Sequence, residues 1–337
     1  MKFHCEFDIQ ALQSPIGHRS HTLMIGSCFT ENMGEKLAKH LFHVLENPNG
    51  VLFNPVSVAE ALTQYIEAPT FTNNDLFYFN EAWHSWKHHS RFSGTTPEDA
   101  LDKINNANGV AHSFLKKASH LFITLGSAWV YQLTDQAAGY VPNFVAANNH
   151  KAPASWFVKK LLTPADIEAL YLPLVTRLRY LNPDLQIIYT ISPVRHVREG
   201  MVENNRSKAA LIQAVHSLVE TDANSYYFPA YEIVIDDLRD YRFYSEDMVH
   251  PNYHATEYVW EKFLQACTTP ETKNLIKEIA SINLAAAHKP FFVHSNQHQQ
   301  FVHKTIEKIE ALCGQYPYLD CSKQLELLRV QLLPSSI

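Results

Sequence analysis

Short, fully apolar runs alternate along the chain with longer segments in which apolar residues recur every three or four positions. The apolar runs predict strands buried on both faces, and the periodic segments predict helices that bury one stripe. Strands that alternate with helices in this way predict a parallel sheet covered on both sides. The strands are predicted at 22–26, about 42–46, 120–126, 186–191 and 226–235.

Two of the predicted helices have clear starting signals. Asn54-Pro55 and Thr163-Pro164 each place a capping side chain before a proline, which is tolerated at the first helical position because its missing N–H would have no partner there. Helices are predicted at 55–67, 164–181, 203–220 and 252–266.

The chain divides into a core and a helical end. Segments at about 68–118 and 132–157 exceed a minimal strand–helix repeat and are predicted insertions. Beyond residue 267 the pattern is wholly helical, with helices predicted at 270–287, 294–313 and 321–332. We therefore predict a core domain over 1–267 and a C-terminal helical extension over 268–337 that packs on it.

Composition narrows the class of protein. A hydrophobic content of 46% with 18% charged residues describes a globular protein, and a net charge of −6 without Lys/Arg clusters predicts no nucleic-acid partner. No apolar run approaches a membrane span, and the first residues lack the apolar region of a signal peptide. The five cysteines show no CxxC spacing. The simplest expectation is a soluble, cytoplasmic protein.

Candidate catalytic residues lie at two positions that are far apart in the chain. Gly26-Ser27 breaks the first predicted strand and starts a helix, so the serine projects from the sheet edge with free helix N–H groups behind it. Asp247 and His250, three residues apart on a later loop, could supply a base and a carboxylate that orients it. The same residues could also form an ordinary turn and an accidental Asp-x-x-His match, but their order along the chain favours a serine nucleophile.

A wider set of residues carries a family resemblance. Gly26-Ser27-Cys28-Phe29-Thr30 resembles the Gly-Ser-Cys-Phe-Ala signature of the GSCFA domain family, within the SGNH (GDSL-type) hydrolase superfamily. The family blocks that the chain also matches are at 47–55, 124–131, 192–196, 203–208 and 237–251.

This resemblance implies a fold and a mechanism. The fold would be a three-layer α/β/α sandwich with a five-stranded, parallel, flavodoxin-like sheet. The chemistry would be ester cleavage or acyl transfer by Ser27, His250 and Asp247, with no metal or organic cofactor. The oxyanion hole would use the N–H groups of Ser27 and Gly50.

One departure concerns the oxyanion hole. The superfamily ends its third strand in Gly-x-Asn-Asp, whose asparagine completes the hole, whereas this chain has Gly126-Ser127-Ala128-Trp129. Losing one such donor typically costs about a hundredfold in rate. Four side chains are candidates for the missing donor: Ser127, His89, Asn149 and His150.

Other residues are candidates for substrate binding. The aromatic and imidazole-rich stretch around 83–89 could stack on a sugar ring, or could equally be a loop with buried tryptophans. Its His side chains lack the carboxylates and helical spacing of a metal site. Arg195 and His196 follow the fourth predicted strand, where ligand sites form in parallel sheets, and could equally contact a ligand or make a structural bond. The substrate-binding candidates are His84, Trp86, His89, His150, Arg195 and His196.

These features predict a serine esterase that removes an O-acyl group from a small-molecule or glycan ester, such as a cell-envelope carbohydrate. An O-acyltransferase that passes the acyl group to a glycan hydroxyl is a second reading. A glycan- or acyl-ligand-binding protein with an inactive triad is a third.

Overall fold

The structure is a computed structural model that describes residues 5–293 and 295–332. It is built on a central parallel sheet with two small antiparallel hairpins beside it. The strands, in chain order, are β1 (His21–Gly26), β2 (His43–Glu46), β3 (Phe77–Phe79), β4 (Ala82–His84), β5 (His120–Leu125), β6 (Trp129–Leu133), β7 (Phe157–Leu161), β8 (Gln186–Ile191) and β9 (Ser225–Tyr227).

The helices in the described residues cover both faces of this sheet and form the C-terminal part of the chain. In chain order they are α1 (Cys28–Lys39), α2 (Pro55–Glu67), α3 (Pro97–Leu115), α4 (Pro164–Leu181), α5 (Met201–Thr221), α6 (Ala230–Glu232), α7 (Tyr253–Cys267), α8 (Pro270–Ala286), α9 (Asn296–Gln315) and α10 (Ser322–Arg329).

The central sheet has five strands in the order β2-β1-β5-β8-β9, all parallel. Counting only these strands, the order is 2-1-3-4-5, which is that of flavodoxin-like folds. The predicted α/β fold is therefore confirmed. The strand order reverses between β1 and β5, and in such sheets the crevice at the carboxyl ends of those two strands is the usual ligand site.

Successive residues of β1 point into different cores. Leu23 and Ile25 lie in the cluster beneath α2, α3, α4 and α5, whereas Met24 lies in the cluster beneath α1 and α7. All three side chains are fully buried. A strand covered on both faces has no solvent-facing residues, which explains why it reads as an unbroken apolar run.

One predicted strand is much shorter than expected. The apolar stretch 226–235 forms a strand only over Ser225–Tyr227, and α6 follows and continues as a π-helix over Ile233–Leu238. Pro229, which has no N–H to donate to a neighbouring strand, separates the two. The apolar residues beyond it, such as Val234, pack on the α7 side of the sheet as helix.

The inserted segments have structure of their own. Segment 68–118 contains the β3–β4 hairpin and α3, which packs on α2, and segment 132–157 extends from the β6–β7 hairpin. Asn283 of α8 donates to the Lys39 carbonyl at 2.7 Å, so the C-terminal helices contact α1. Within the predicted C-terminal helices, residue 294 lies outside the described residues.

None of the helices in the described residues is long and apolar enough to cross a bilayer.

Gly26 controls the exit from β1. Its φ of +146° is a conformation that other residues rarely adopt, and a Cβ here would lie 2.2 Å from the Thr124 carbonyl oxygen of β5. The Gly26 N–H donates to the Asn47 side-chain oxygen at 2.8 Å. The turn from β1 into α1 therefore requires glycine.

We expect Gly26→Ala to destabilise the protein by at least about 1–3 kcal/mol, the cost of the backbone strain alone. Urea unfolding measures this change. Gly109→Ala is the matched control, because Gly109 lies within α3 with open space at its Cβ position. That variant should gain about 0.5–1 kcal/mol from helix propensity. Equal stability of the two variants would contradict the role assigned to Gly26.

Candidate active site

Ser27 lies at the point where the sheet order reverses. It follows β1 directly and is the N-cap of α1, where its Oγ accepts a 3.3 Å hydrogen bond from the Phe29 N–H. The residue is buried, with 3% of its surface exposed. The β1–α1 turn thus holds the hydroxyl at the carboxyl edge of the sheet, next to the positive end of a helix dipole.

Asp247 and His250 form a hydrogen-bonded pair. The Asp247 Oδ2 lies 2.6 Å from the His250 Nδ1, and the other carboxylate oxygen accepts from the Val249 and His250 N–H groups at 2.9 and 3.0 Å. These hydrogen bonds lower the pKa of Asp247 to about 2, although the side chain is half exposed. The carboxylate is therefore ionised at neutral pH and can orient the imidazole.

Arg195 holds the loop that carries this pair. Its backbone N–H donates to the Val249 carbonyl, and its Nη1 donates to the Met248 carbonyl, both at 3.2 Å. The guanidinium lies 4.0 Å from the ring centroid of Tyr244, a cation–π contact. Arg195 was predicted to bind substrate. In this conformation the groups it contacts belong to the Asp247–His250 loop.

The loop approaches the serine from the far side of β5. Arg195 follows β8, which lies two strands from β1, or roughly 10 Å at the usual strand spacing. Ser27 Oγ and the His250 ring are not hydrogen-bonded to each other; within the described residues the His250 ring bonds only to Asp247. The structure thus places all three predicted catalytic residues at the same sheet edge, with the His250 Nε2 unpaired.

The predicted backbone donors of the oxyanion hole are occupied in this conformation. The Ser27 N–H donates to the Thr124 carbonyl at 3.3 Å, and the Gly50 N–H donates to the Asn47 carbonyl at 2.7 Å. The first bond is long and weak, whereas the second is short. An oxyanion could displace the first donor more easily than the second.

The N–H and the hydroxyl of Ser127 are also hydrogen-bonded within the protein. Its N–H donates to the Phe53 carbonyl at 3.0 Å, and its Oγ lies 3.2 Å from the Ser207 Oγ while accepting from the Trp129 N–H. Among the described residues the Cys28 N–H, at the first position of α1, bonds to its own thiol and to no other residue. It is the backbone donor next to Ser27 that no other residue engages.

Asn47 is a site residue that the sequence reasoning did not single out. Its side-chain oxygen accepts from the Gly26 N–H at 2.8 Å, and its Nδ2 is buried without a partner in the described residues. It directly follows β2 and belongs to the matched block 47–55, which was the available signal. Its amide fixes the Gly26-Ser27 turn from the β2 side.

His89 lies directly against Gly50. A Cβ on Gly50 would be 2.2 Å from the Cβ of His89, and the His89 N–H donates to the Asn49 carbonyl at 3.0 Å. Arg91, two residues further, donates to the Asn47 carbonyl and lies 4.0 Å from Glu31 in the first turn of α1. This part of the first insertion therefore borders the turn that carries Ser27.

The other predicted ligand residues of the insertions, His84, Trp86 and His150, form an interior cluster. Trp86 stacks on Phe77 with ring centroids 3.9 Å apart, and its indole donates to the Ala138 carbonyl at 2.9 Å. His84 and His150 lie 4.7 Å apart between ring centroids, and each has hydrogen-bond partners at both ring nitrogens. These contacts account for a packing role, and substrate binding by the three stays a prediction.

His196 lies between the ends of β5 and β8. Its Nε2 would be 3.0 Å from a Cβ on Gly126 and has no partner among the described residues. Burial and the nearby Lys208 ammonium lower the pKa of His196 to about 4, so the ring is neutral at pH 7. His250 also contributes to this lowering, which places His196 close to the Asp247–His250 loop.

No metal centre is evident at this edge. The described residues contain no group of three or more His, Cys, Asp or Glu side chains arranged to hold a metal ion. A large surface hollow of about 910 Å³ lies elsewhere, lined by His21 and His43 at the amino ends of β1 and β2. Because those are the opposite ends of the strands, the hollow is separate from Ser27.

Comparison with known protein families shows to which family the chain belongs. The model of the GSCFA family matches residues 21–263, which span the whole central sheet. The chain belongs to the GSCFA family. A second model, the C-terminal domain of GSCFA domain proteins, matches residues 279–334. A comparison with curated proteins gives no match.

We expect Arg195→Ala to loosen the Asp247–His250 loop. Losing the carbonyl hydrogen bond and the cation–π contact should cost about 1–2 kcal/mol locally, which corresponds to roughly 5–30-fold faster amide exchange in segment 245–250. Hydrogen exchange read by mass spectrometry measures this. Arg198→Ala, on the adjacent turn and without a contact to the loop, is the control. Unchanged exchange in Arg195→Ala would show that other contacts hold the loop.

Proposed function

We propose that this GSCFA family protein is a serine esterase of the SGNH type, and that it removes O-acyl groups from a carbohydrate or cell-envelope glycan. The observation that carries the proposal is the 2.6 Å hydrogen bond between Asp247 and His250, on a loop at the same sheet edge as Ser27. A serine after the first strand, a 2-1-3-4-5 sheet and an Asp-x-x-His just before α7 support the superfamily placement.

In the proposed mechanism, Ser27 Oγ attacks the acyl carbonyl while the His250 Nε2 takes its proton. Asp247 fixes the tautomer through Nδ1 and stabilises the imidazolium. The developing oxyanion lies near the N-terminus of α1, where the Cys28 N–H bonds to no other residue and the Ser27 N–H is only weakly bonded. His250 then protonates the leaving alcohol, and water releases the acyl group from Ser27.

In this mechanism His250 has to move into hydrogen-bond contact with Ser27. Catalytic hydrogen bonds are often long or absent without substrate and tighten when it binds. The side chain of His250 is about half exposed, 48% by area, so it is not enclosed by packed neighbours. Exposed Tyr241 lies 5.2 Å from the Arg195 guanidinium and offers an aromatic face on which a sugar ring could stack.

The occupied donors support a second candidate, a non-catalytic protein that binds a glycan or an acyl ligand at the same edge. The Gly50 N–H is held by a short internal bond, and no asparagine follows β5. If this arrangement persists when ligand binds, the oxyanion would lack donors that SGNH enzymes use, and turnover would be slow.

Fluorophosphonate labelling separates the two candidates. We expect modification of the wild-type protein at Ser27, none in Ser27→Ala, and a rate about 10²–10⁴-fold lower in His250→Ala, since the general base is lost. Cys28→Ser is the matched control, because the neighbouring thiol is not needed. A folded wild-type protein that remains unlabelled would favour the binding candidate.

We expect the labelling rate to show no dependence on the ionisation of Asp247 above about pH 3. The reason is that the Asp247 pKa is already lowered to about 2. A carboxylate with a lowered pKa stabilises the fold at pH values above its unfolded pKa and loses that contribution as the pH falls through its folded pKa. A pH–rate profile of labelling measures this. An acidic transition near pH 4, the range of an unperturbed aspartate, would mean that the Asp247–His250 pair is not formed in solution.

Activity on O-acetylated sugars, compared with a simple aryl acetate, tests the carbohydrate part of the proposal. We expect a higher kcat/KM for the sugar ester in the wild type, and Tyr241→Ala should reduce the difference by raising KM for the sugar alone. An equal preference in both proteins would remove the argument for stacking on Tyr241.

A further inference from the structure

Helix α5 carries three buried polar side chains on one face. Asn204, Ser207 and Lys208 are spaced so that they point the same way, and each is at most 3% exposed. Polar groups are costly to bury unless they are hydrogen-bonded, and a charged ammonium is the most costly of them. Their hydrogen-bond partners therefore show what this face of α5 does.

Lys208 joins the ends of two central strands. Its Nζ donates to the carbonyl oxygens of Gly126 and Ser192, each at 2.6 Å. Gly126 directly follows β5, and Ser192 directly follows β8. One side chain from the helical layer thus ties together the carboxyl edge of the sheet between Ser27 and the Asp247–His250 loop.

The two neighbouring side chains extend the same connection. The Ser207 Oγ accepts from the Ala128 N–H at 2.7 Å, and the Asn204 side-chain oxygen accepts from the His196 N–H at 2.8 Å. Ala128 occupies the place of the superfamily's oxyanion asparagine. Side chains from α5 therefore help to fix the segment after β5, together with the Phe53 carbonyl that accepts from the Gly126 and Ser127 N–H groups.

The chemistry of the lysine side chain explains how it can serve both carbonyls in a buried position. Burial lowers the pKa of Lys208 to about 7. Even when neutral, the amine has two N–H groups, one for each carbonyl. An apolar side chain would fill the space with a smaller desolvation penalty but would leave both carbonyls without this donor.

We propose that Lys208 is a positioning residue for the esterase site: with Ser207 and Asn204 it holds the segments after β5 and β8 in the arrangement that brings His196 and the Asp247–His250 loop to Ser27. This inference rests on the proposed function for its catalytic consequence. Its structural part, the joining of the two strand ends, stands on the contacts alone.

The test compares Lys208→Met with Val215→Ala. Val215 is a fully buried residue of the same helix that lies in the hydrophobic core, so its truncation lowers stability without touching either strand end. Two quantities are measured on the folded fraction of each full-length variant: the second-order rate of fluorophosphonate labelling at Ser27, and amide exchange in segments 126–129 and 192–196.

We expect Lys208→Met to slow labelling at least tenfold and to speed exchange in both segments at least tenfold. Val215→Ala should change neither beyond about twofold. Lys208→Gln, which keeps two N–H donors on a chain one bond shorter, should recover part of the labelling rate. Labelling and exchange at wild-type levels in folded Lys208→Met would overturn the inference.

Two further outcomes are decisive. If Lys208→Met does not fold, Ser207→Ala replaces it: faster exchange at 126–129 supports the inference, and unchanged exchange overturns it. If the wild-type protein is not labelled at Ser27, the proposed esterase function fails, while the exchange measurements still decide whether Lys208 joins the two strand ends.

Discussion

The close approach of two backbones at Gly26 is the constraint on which the site depends. β1 and β5 pair in parallel up to this residue, and the Thr124 carbonyl lies where any side chain at position 26 would begin. The chain can leave the sheet here only with a positive φ, and that departure makes Ser27 the N-cap of α1. The position of the hydroxyl, the N–H groups at the helix start and the crevice between β1 and β5 all follow from this one turn.

The remaining groups of the site reach this turn by separate routes. Asn47 contacts Gly26 from the end of β2, and His89 of the first insertion lies on Gly50. On the other side, Arg195 holds the loop of Asp247 and His250 against the end of β8. The site is therefore an assembly of strand ends, and the strength of its hydrogen bonds to backbone carbonyls sets how firmly it is organised.

The state of the oxyanion donors bears on how such a site would work. The N–H groups of Ser27 and Gly50 are bonded internally, and the segment after β5 is held by α5. A preorganised oxyanion hole stabilises a transition state because its donors are already free and aimed. Here the donor next to the serine that no other residue engages is the Cys28 N–H, so charge stabilisation at the start of α1 would rest mainly on the helix terminus and on displacement of the weak Ser27–Thr124 bond.

Local signals in the sequence determined the elements and the candidate nucleophile. The Asn54-Pro55 and Thr163-Pro164 caps gave helices with the predicted bounds, since capping chemistry acts within a few residues. Gly26-Ser27 marked the strand-to-helix turn for the same reason. The prediction of one strand over the apolar run 226–235 was wrong, because periodicity alone does not separate a buried strand from a buried helix. Only the tertiary structure decided that Arg195 contacts the Asp247–His250 loop, that Trp86 is interior and that Lys208 bonds two strand ends. Those contacts join residues far apart in the chain, and their partners are mostly backbone carbonyls, which leave no trace in residue identity.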